Sequence, residues 1–238
     1  MQLFFLPNLD SNTFAFSEEE SKHCIRVLRK KIGDTLTLID GKGTEATAMI
    51  LDDHPKKCTG KIISRTQHTP NRNYYLHLAI APTKNFDRIE WMLEKAIEIG
   101  VDEISFIETE NSERAKINMD RCEKIAVSAI KQSKQFFLPK INPIRKFNSF
   151  MKEVESYENK WIAWCPTNNT ETLAKQIKSL QLQQHLLLVG PEGDFSLPEI
   201  ELSKTYRFKP ISLGPNILRT ETAGILGVSA FALNAQSI

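Results

Sequence analysis

The chain has 238 residues, 41% of them hydrophobic and 25% charged, which describes an ordinary globular protein and excludes a disordered or fibrous one. That length suits one large domain, or a medium domain with a smaller companion. Lys and Arg number 31 against 29 Asp and Glu, so a net charge of +2 leaves any affinity for a polyanion to local patches.

Ser17 followed by Glu20 has capping-box spacing and predicts a helix running to about Arg29. Thr35 to Ile39 and Thr44 to Leu51 read as strands around the turn residues Asp40, Gly41, Lys42 and Gly43, which suggests a small barrel. The character of the chain changes near Thr69-Pro70-Asn71. Beyond that point strands are predicted at Tyr74 to Ala81, Val101 to Glu108 and Trp161 to Cys165. Helices are predicted at Phe86 to Ile99, closed by Gly100, at Met119 to Lys134 and at Thr170 to Leu180. This rhythm predicts an α/β fold, a parallel sheet with helices on both faces over residues 71–238, preceded by a small domain over residues 1–70.

The strongest signal lies near the end. Leu186 to Val189 is an apolar run that meets Gly190-Pro191-Glu192-Gly193-Asp194, and Ser196, Pro198 and Glu199 then open a helix. Ile211-Ser212-Leu213 meets Gly214-Pro215 in the same way, and Thr220 is placed to cap a helix running to about Asn234. That last helix is apolar nearly all round and rich in Ala, Gly and Ser, which predicts tight burial. Strand-to-helix loops of this kind present backbone amides to nucleotide-like ligands, although two ordinary turns would look the same.

Cys24, Cys58, Cys122 and Cys165 are far apart with no C-x-x-C pair, and His23, His54, His68, His77 and His185 show no ligand spacing. Reduced structural thiols and no metal are expected. Residues 1–10 lack the basic region of a signal peptide, and no stretch approaches the ~18 apolar residues of a membrane span, so a cytoplasmic location and no membrane partner are expected.

The pair GPEGDFSLPE and SLGPNILRTETA resembles the two signature loops of the SPOUT methyltransferase superfamily, specifically the bacterial ribosomal RNA small subunit methyltransferase E family. HCIRVLRKKIGD from His23, IDGKG from Ile39, EKAIEIGVDEISFIET from Glu94 and KQSKQFFLPKI from Lys131 extend the similarity in the family's order. Two departures stand out. Asp194 occupies the place of a second glycine, and Gln135 stands where an arginine is common.

The resemblance implies an N-terminal PUA-like RNA-binding barrel and a SPOUT domain with a deep C-terminal trefoil knot, a feature that sequence logic alone would rule out. It implies S-adenosylmethionine as cofactor, a homodimer, and methylation of N3 of one uridine in the decoding region of 16S ribosomal RNA within the small subunit. Expected cofactor residues are Gly190, Glu192, Gly193, Leu213, Gly214, Ile217 and Leu218, with Pro166 and Thr167 at a further loop. Arg219 is expected to stabilise charge on the uracil oxygens, and Glu221 either takes the proton, orients Arg219 or merely charges the first helical turn. Expected RNA contacts are the cationic ridge Lys22, His23, Arg26, Arg29 and Lys30, a second patch of Lys131 and Lys134 with Lys140, Arg145 and Lys146, and the single residues Arg72 and Arg114. Solvated faces or salt bridges to glutamates are the alternatives for these. Rival functions are methylation of a 2′-hydroxyl or another base, and a non-enzymatic RNA-binding assembly factor.

Overall fold

The computed structural model describes residues 2–70, 72–113, 117–165, 170–177 and 184–235. They divide into two compact units, Met1–Asn71 with Ile130–Leu138, and Arg72–Ala129 with Pro139–Ile238.

In the first unit, β1 (Leu3–Phe5), β2 (Thr13–Ala15), β3 (Thr35–Ile39), β4 (Thr44–Asp52) and β5 (Thr59–Gln67) form a sheet in the order β1-β3-β4-β5-β2. The β1/β3 pair is parallel and the rest antiparallel. The sheet is curled and PUA-like. Alternation along β3 and β4 sends Leu36, Leu38, Ala46, Ala48 and Ile50 to one core with Phe4, Phe14 and Phe16. Ser17 Oγ accepts from the Glu20 N–H at 3.3 Å and opens α1 (Glu18–Lys22). The expected single helix to Arg29 is corrected: α1 passes into a π-helical turn, His23–Val27, closed by the Leu28 N–H donating to the His23 carbonyl at 3.0 Å. Arg29 then takes φ 55, so Arg29 and Lys30 lie beyond the helix. A bond that spans five residues widens the turn by one while Cys24 stays in the core.

Ile130–Leu138 belongs with this unit for a visible reason. The Gly43 N–H donates to the Phe136 carbonyl at 3.0 Å, and the Leu138 N–H to the Gly41 carbonyl at 2.8 Å. Gly43 has φ +98, and a Cβ there would stand 2.7 Å from Phe137 Cζ, so glycine is required. His68 stacks on Phe136 at 3.7 Å and bonds Glu45 at 2.8 Å. Two segments far apart in sequence thus meet.

In the second unit, β6 (Tyr75–Ile80), β7 (Glu103–Glu108), β8 (Lys140–Lys146), β9 (Asn159–Ala163), β10 (Gln184–Val189) and β11 (Lys209–Ile211) form a wholly parallel sheet in the order β11-β9-β10-β6-β7-β8. Six helices accompany it among the described residues: α2 (Phe86–Ile99), α3 (Met119–Ser133), α4 (Phe147–Glu153), α5 (Leu173–Gln176), α6 (Leu197–Thr205) and α7 (Thr220–Ala235). Phe147 and Phe150 of α4 and Ile200 of α6 join Ala79, Ile107, Leu186 and Leu188 on one face. On the other, Gly224 of α7 lies against Leu78 and Ile80 of β6 and Met92 of α2. A Cβ at Gly227 would come within 2.3 Å of Leu187 Cδ2, which is the tight burial expected of the last helix.

Three expectations shift, the first being the apolar segment Ile211-Ser212-Leu213, of which only Ile211 belongs to a strand, β11. Strand β9 starts two residues earlier than predicted, at Asn159. The helix expected over Thr170 to Leu180 is α-helical only at Leu173–Gln176 among the described residues. Strand β8 and helix α4 carry no strong pattern: β8 is an edge strand, mostly polar and interrupted by Pro143, where a missing N–H is tolerated.

Candidate active site

The C-terminal ends of β9, β10 and β11 open on one cavity of about 310 Å³. Ala163, Trp164 and Cys165 line it from β9, Val189, Gly190, Pro191, Glu192 and Asp194 from β10, and Ile211, Leu213, Gly214, Pro215, Asn216, Ile217 and Leu218 from β11. Thr220 and Ala223 of α7 complete the lining. A parallel sheet places its ligand crevice here because strand ends and helix starts leave backbone groups unpaired.

Each loop is held from behind. Thr220 Oγ1 donates to the Gly190 carbonyl at 3.1 Å, so its hydroxyl joins the two loops and does not cap α7 as expected. Asn111 Nδ2 donates to the carbonyls of Gly193 at 3.1 Å and Asp194 at 3.0 Å. Asp194 adopts φ 60, a left-handed conformation that suits glycine and that Asp tolerates. Its Oδ1 accepts from the Phe195 N–H at 2.8 Å, which caps the turn and leaves the helix start to Ser196. Glu199 Oε2 accepts from the Ser196 N–H at 2.9 Å while Oε1 accepts from the Glu110 N–H at 2.9 Å. In the second loop the Gly214 N–H donates to Ser212 Oγ at 3.1 Å, and Gly214 has φ +142 with open space where a Cβ would stand.

Charge gathers beside the cavity. Arg88 of α2 reaches Glu192 Oε1 with Nη1 at 3.3 Å and Glu221 Oε1 with Nε at 3.8 Å. Glu221 is buried, and no described group hydrogen-bonds its Oε2. An ionisable group so placed is costly unless paired, which makes Arg88 its counter-charge.

Residues 70–232 match the model of an RNA methyltransferase domain, and residues 16–63 that of an RNA methyltransferase PUA domain. The chain is 31% identical over 239 residues to a ribosomal RNA small subunit methyltransferase E from Buchnera aphidicola, covering 96% of this chain and 91% of that protein. This chain belongs to the ribosomal RNA small subunit methyltransferase E family.

Solved structures agree with the family. The crystal structure of a "probable rRNA-methyltransferase" from Porphyromonas gingivalis superposes with a TM-score of 0.91 at 35% identity, covering 100% of this chain and 99% of that one. A small subunit methyltransferase E from Neisseria gonorrhoeae, bound to S-adenosyl methionine, gives 0.83 at 26% identity, covering 97% and 96%.

Of the expected cofactor residues in this family member, Gly190, Glu192, Leu213, Gly214, Ile217 and Leu218 line the one cavity. Gly193 does not: it faces Asn111 and lines a smaller neighbouring cavity. Pro166 and Thr167 lie outside the described residues, as does Arg114. Arg219 is exposed between two lining residues, and the ion pair of Glu221 is with Arg88.

The expected RNA residues divide by partner. Lys22, Arg26 and Arg29 are exposed, with Lys22 paired to Glu18 at 2.7 Å, while His23 and Lys30 are half-buried. Lys131 is bound to Glu20 at 2.5 Å, and Lys134 is exposed just past α3 at φ 57. Arg72 is tied to Asp102 at 2.7 Å under Gly100, Lys140 to Glu103 at 2.9 Å, and Arg145 to Glu153. Sequence reasoning missed Arg88 and Asn111. Arg88 carried only the polar-face signal of an amphipathic helix, and Asn111 only that of a turn.

Proposed function

We propose that this chain transfers the methyl group of S-adenosylmethionine to N3 of a uridine in the decoding region of 16S ribosomal RNA, as a cytoplasmic homodimer acting on RNA within the small subunit. The observation that carries the reading is a single cavity lined by both signature loops and joined by the Thr220 bond to Gly190. The residues present fit the cofactor. Leu213, Ile217 and Leu218 offer an apolar slot for adenine, and Ile217 stands at 103% exposure, an apolar surface that a ligand would cover. Backbone at Gly190, Glu192 and Gly214 borders the cavity, and the space beside Gly214 is open to an approaching ligand.

S-adenosylmethionine, when bound, supplies a methyl already activated by its sulfonium. The chain has to align the uridine, exclude water and manage one proton. A paired uridine must first leave its stack. Arg219, exposed between Leu218 and Thr220, stabilises charge developing on O2 or O4. In the N-terminal unit Lys22, Arg26 and Arg29 present cations that can follow phosphates. The exposed apolar side chains Trp91 of α2 and Leu226 and Leu233 of α7 support a second copy as partner.

The test is nucleoside mass spectrometry of 16S RNA from cells lacking this chain, followed by methylation of those subunits with the purified protein. Loss and restoration of N3-methyluridine is the expected result. Loss of a 2′-O-methyl nucleoside instead, or no change in any nucleoside, would overturn it.

A further inference from the structure

A second cavity, of about 110 Å³, adjoins the first. Thr83, Lys84, Asn111 and Glu113 contribute its polar walls, and Pro191 and Glu192 line both cavities. Glu192 is therefore the carboxylate at the partition. Its side chain is half-exposed and is held by Arg88, whose other contact is the buried Glu221. Glu221 itself lines neither cavity and is buried behind Arg88, which places it as an anchor.

We propose that the smaller cavity receives the target uracil and that Glu192 takes its N3 proton, with Arg88, anchored on Glu221, positioning that carboxylate. This rests on the function proposed above and names its missing proton acceptor. The imide edge of uracil offers one donor, N3–H, between two carbonyl oxygens, and a carboxylate is the acceptor matched to that donor. In the step, the N3–H bond breaks and the proton moves to Glu192. The N3 electron pair bonds the methyl carbon as the carbon–sulfur bond breaks, its electrons neutralise the sulfonium, and Glu192 later releases the proton to water. Glu192 is the catalytic residue in this scheme. Arg88 and Glu221 are positioning residues.

The experiment is single-turnover methylation of unmodified small subunits by the full-length chain at saturating S-adenosylmethionine. Glu192→Gln is expected to keep S-adenosylhomocysteine affinity within about twofold while its rate at neutral pH falls about 100-fold, the usual contribution of a general base. Its rate then climbs steadily with pH as hydroxide takes over. A substrate carrying 5-fluorouridine at the target, whose N3–H is more acidic, speeds Glu192→Gln far more than the unaltered protein. Arg88→Lys and Glu221→Gln lower the rate by smaller factors with cofactor affinity unchanged. Glu113→Trp, an exposed position on the smaller cavity, raises KM for subunits and leaves cofactor affinity alone. An unchanged rate in Glu192→Gln, a cofactor affinity that falls with the rate, or no response to 5-fluorouridine would overturn the assignment while N3-methyluridine formation by the unaltered protein still stood. Failure of the unaltered protein to form that nucleoside would instead remove the function on which the assignment rests.

Discussion

Thr220 Oγ1 donates to the carbonyl of Gly190 at 3.1 Å, so one side chain at the start of α7 fixes the distance between two loops that leave different strands. Thr220→Val keeps the shape and removes the donor, leaving the half-buried Gly190 carbonyl without this bond. The expected result is a loss of about 1 kcal/mol, or about 3- to 10-fold in S-adenosylhomocysteine affinity, measured by calorimetric titration. Thr220→Ser should retain most of it.

Gly227 sets how closely α7 approaches β10. With Leu187 Cδ2 2.3 Å from the place of a Cβ, Gly227→Val forces the helix away from the sheet. A destabilisation of about 1–3 kcal/mol is expected from overpacking. Urea unfolding should show the midpoint falling, and an unmoved midpoint would mean that the helix has slack that the packing does not suggest.

Burial alone lowers His185 from 6.5 to about 4, and its ring lies 4.9 Å from Phe231 with no described hydrogen-bond partner on Nδ1. Burial also lowers His77 to about 4. Both rings stay neutral in the folded chain down to about pH 4, so the unfolded chain binds protons more readily below pH 6.5. The stability they contribute is complete above that pH and is lost as pH falls towards 4. His185→Phe removes one of the two protons, and the slope of unfolding free energy against pH in that window should become shallower by about 1 kcal/mol per pH unit.

Burial works against the charge of Glu103, yet the neighbouring His77 and hydrogen bonds from Tyr75, Lys140 and Asn142 outweigh it and hold the carboxyl down at about 2. Its stabilisation is present above 4.5 and disappears towards 2, so Glu103→Gln should alter the pH dependence of unfolding below about pH 4.5, at the acid end of the histidine window and beyond it. A change confined to pH 5–7 would contradict that order.

Arg26 is exposed on the π-helical turn and Arg29 just beyond it. Reversing both to Glu should weaken binding to small subunits and reduce the dependence of affinity on salt by about two phosphate contacts. Lys131→Ala serves as the comparison, since Lys131 is already bound to Glu20 and should affect the salt slope little. Equal slopes for all three proteins would remove the ridge from the RNA interface.

Much of this molecule could be read locally. The alternation of strands and amphipathic helices beyond residue 70, the stop of α2 at Gly100 with φ +118 and the opening of α6 by Ser196 and Glu199 are short-range matters of periodicity, caps and permitted backbone angles. Strand β8, the π-helical turn and the use of Thr220 as a tie were not legible, because neighbours distant in sequence decide each of them.

The sequence by itself determined the two Gly- and Pro-broken loops, the apolar strand before the first of them and the helix after each, since those depend on residues a few positions apart. Only the tertiary structure decided that both loops line one cavity, that Gly193 turns away from it, and that Arg88 stands between Glu192 and Glu221. Strand order in a parallel sheet sets which loop ends become neighbours, and charges on separate elements pair only after that order exists.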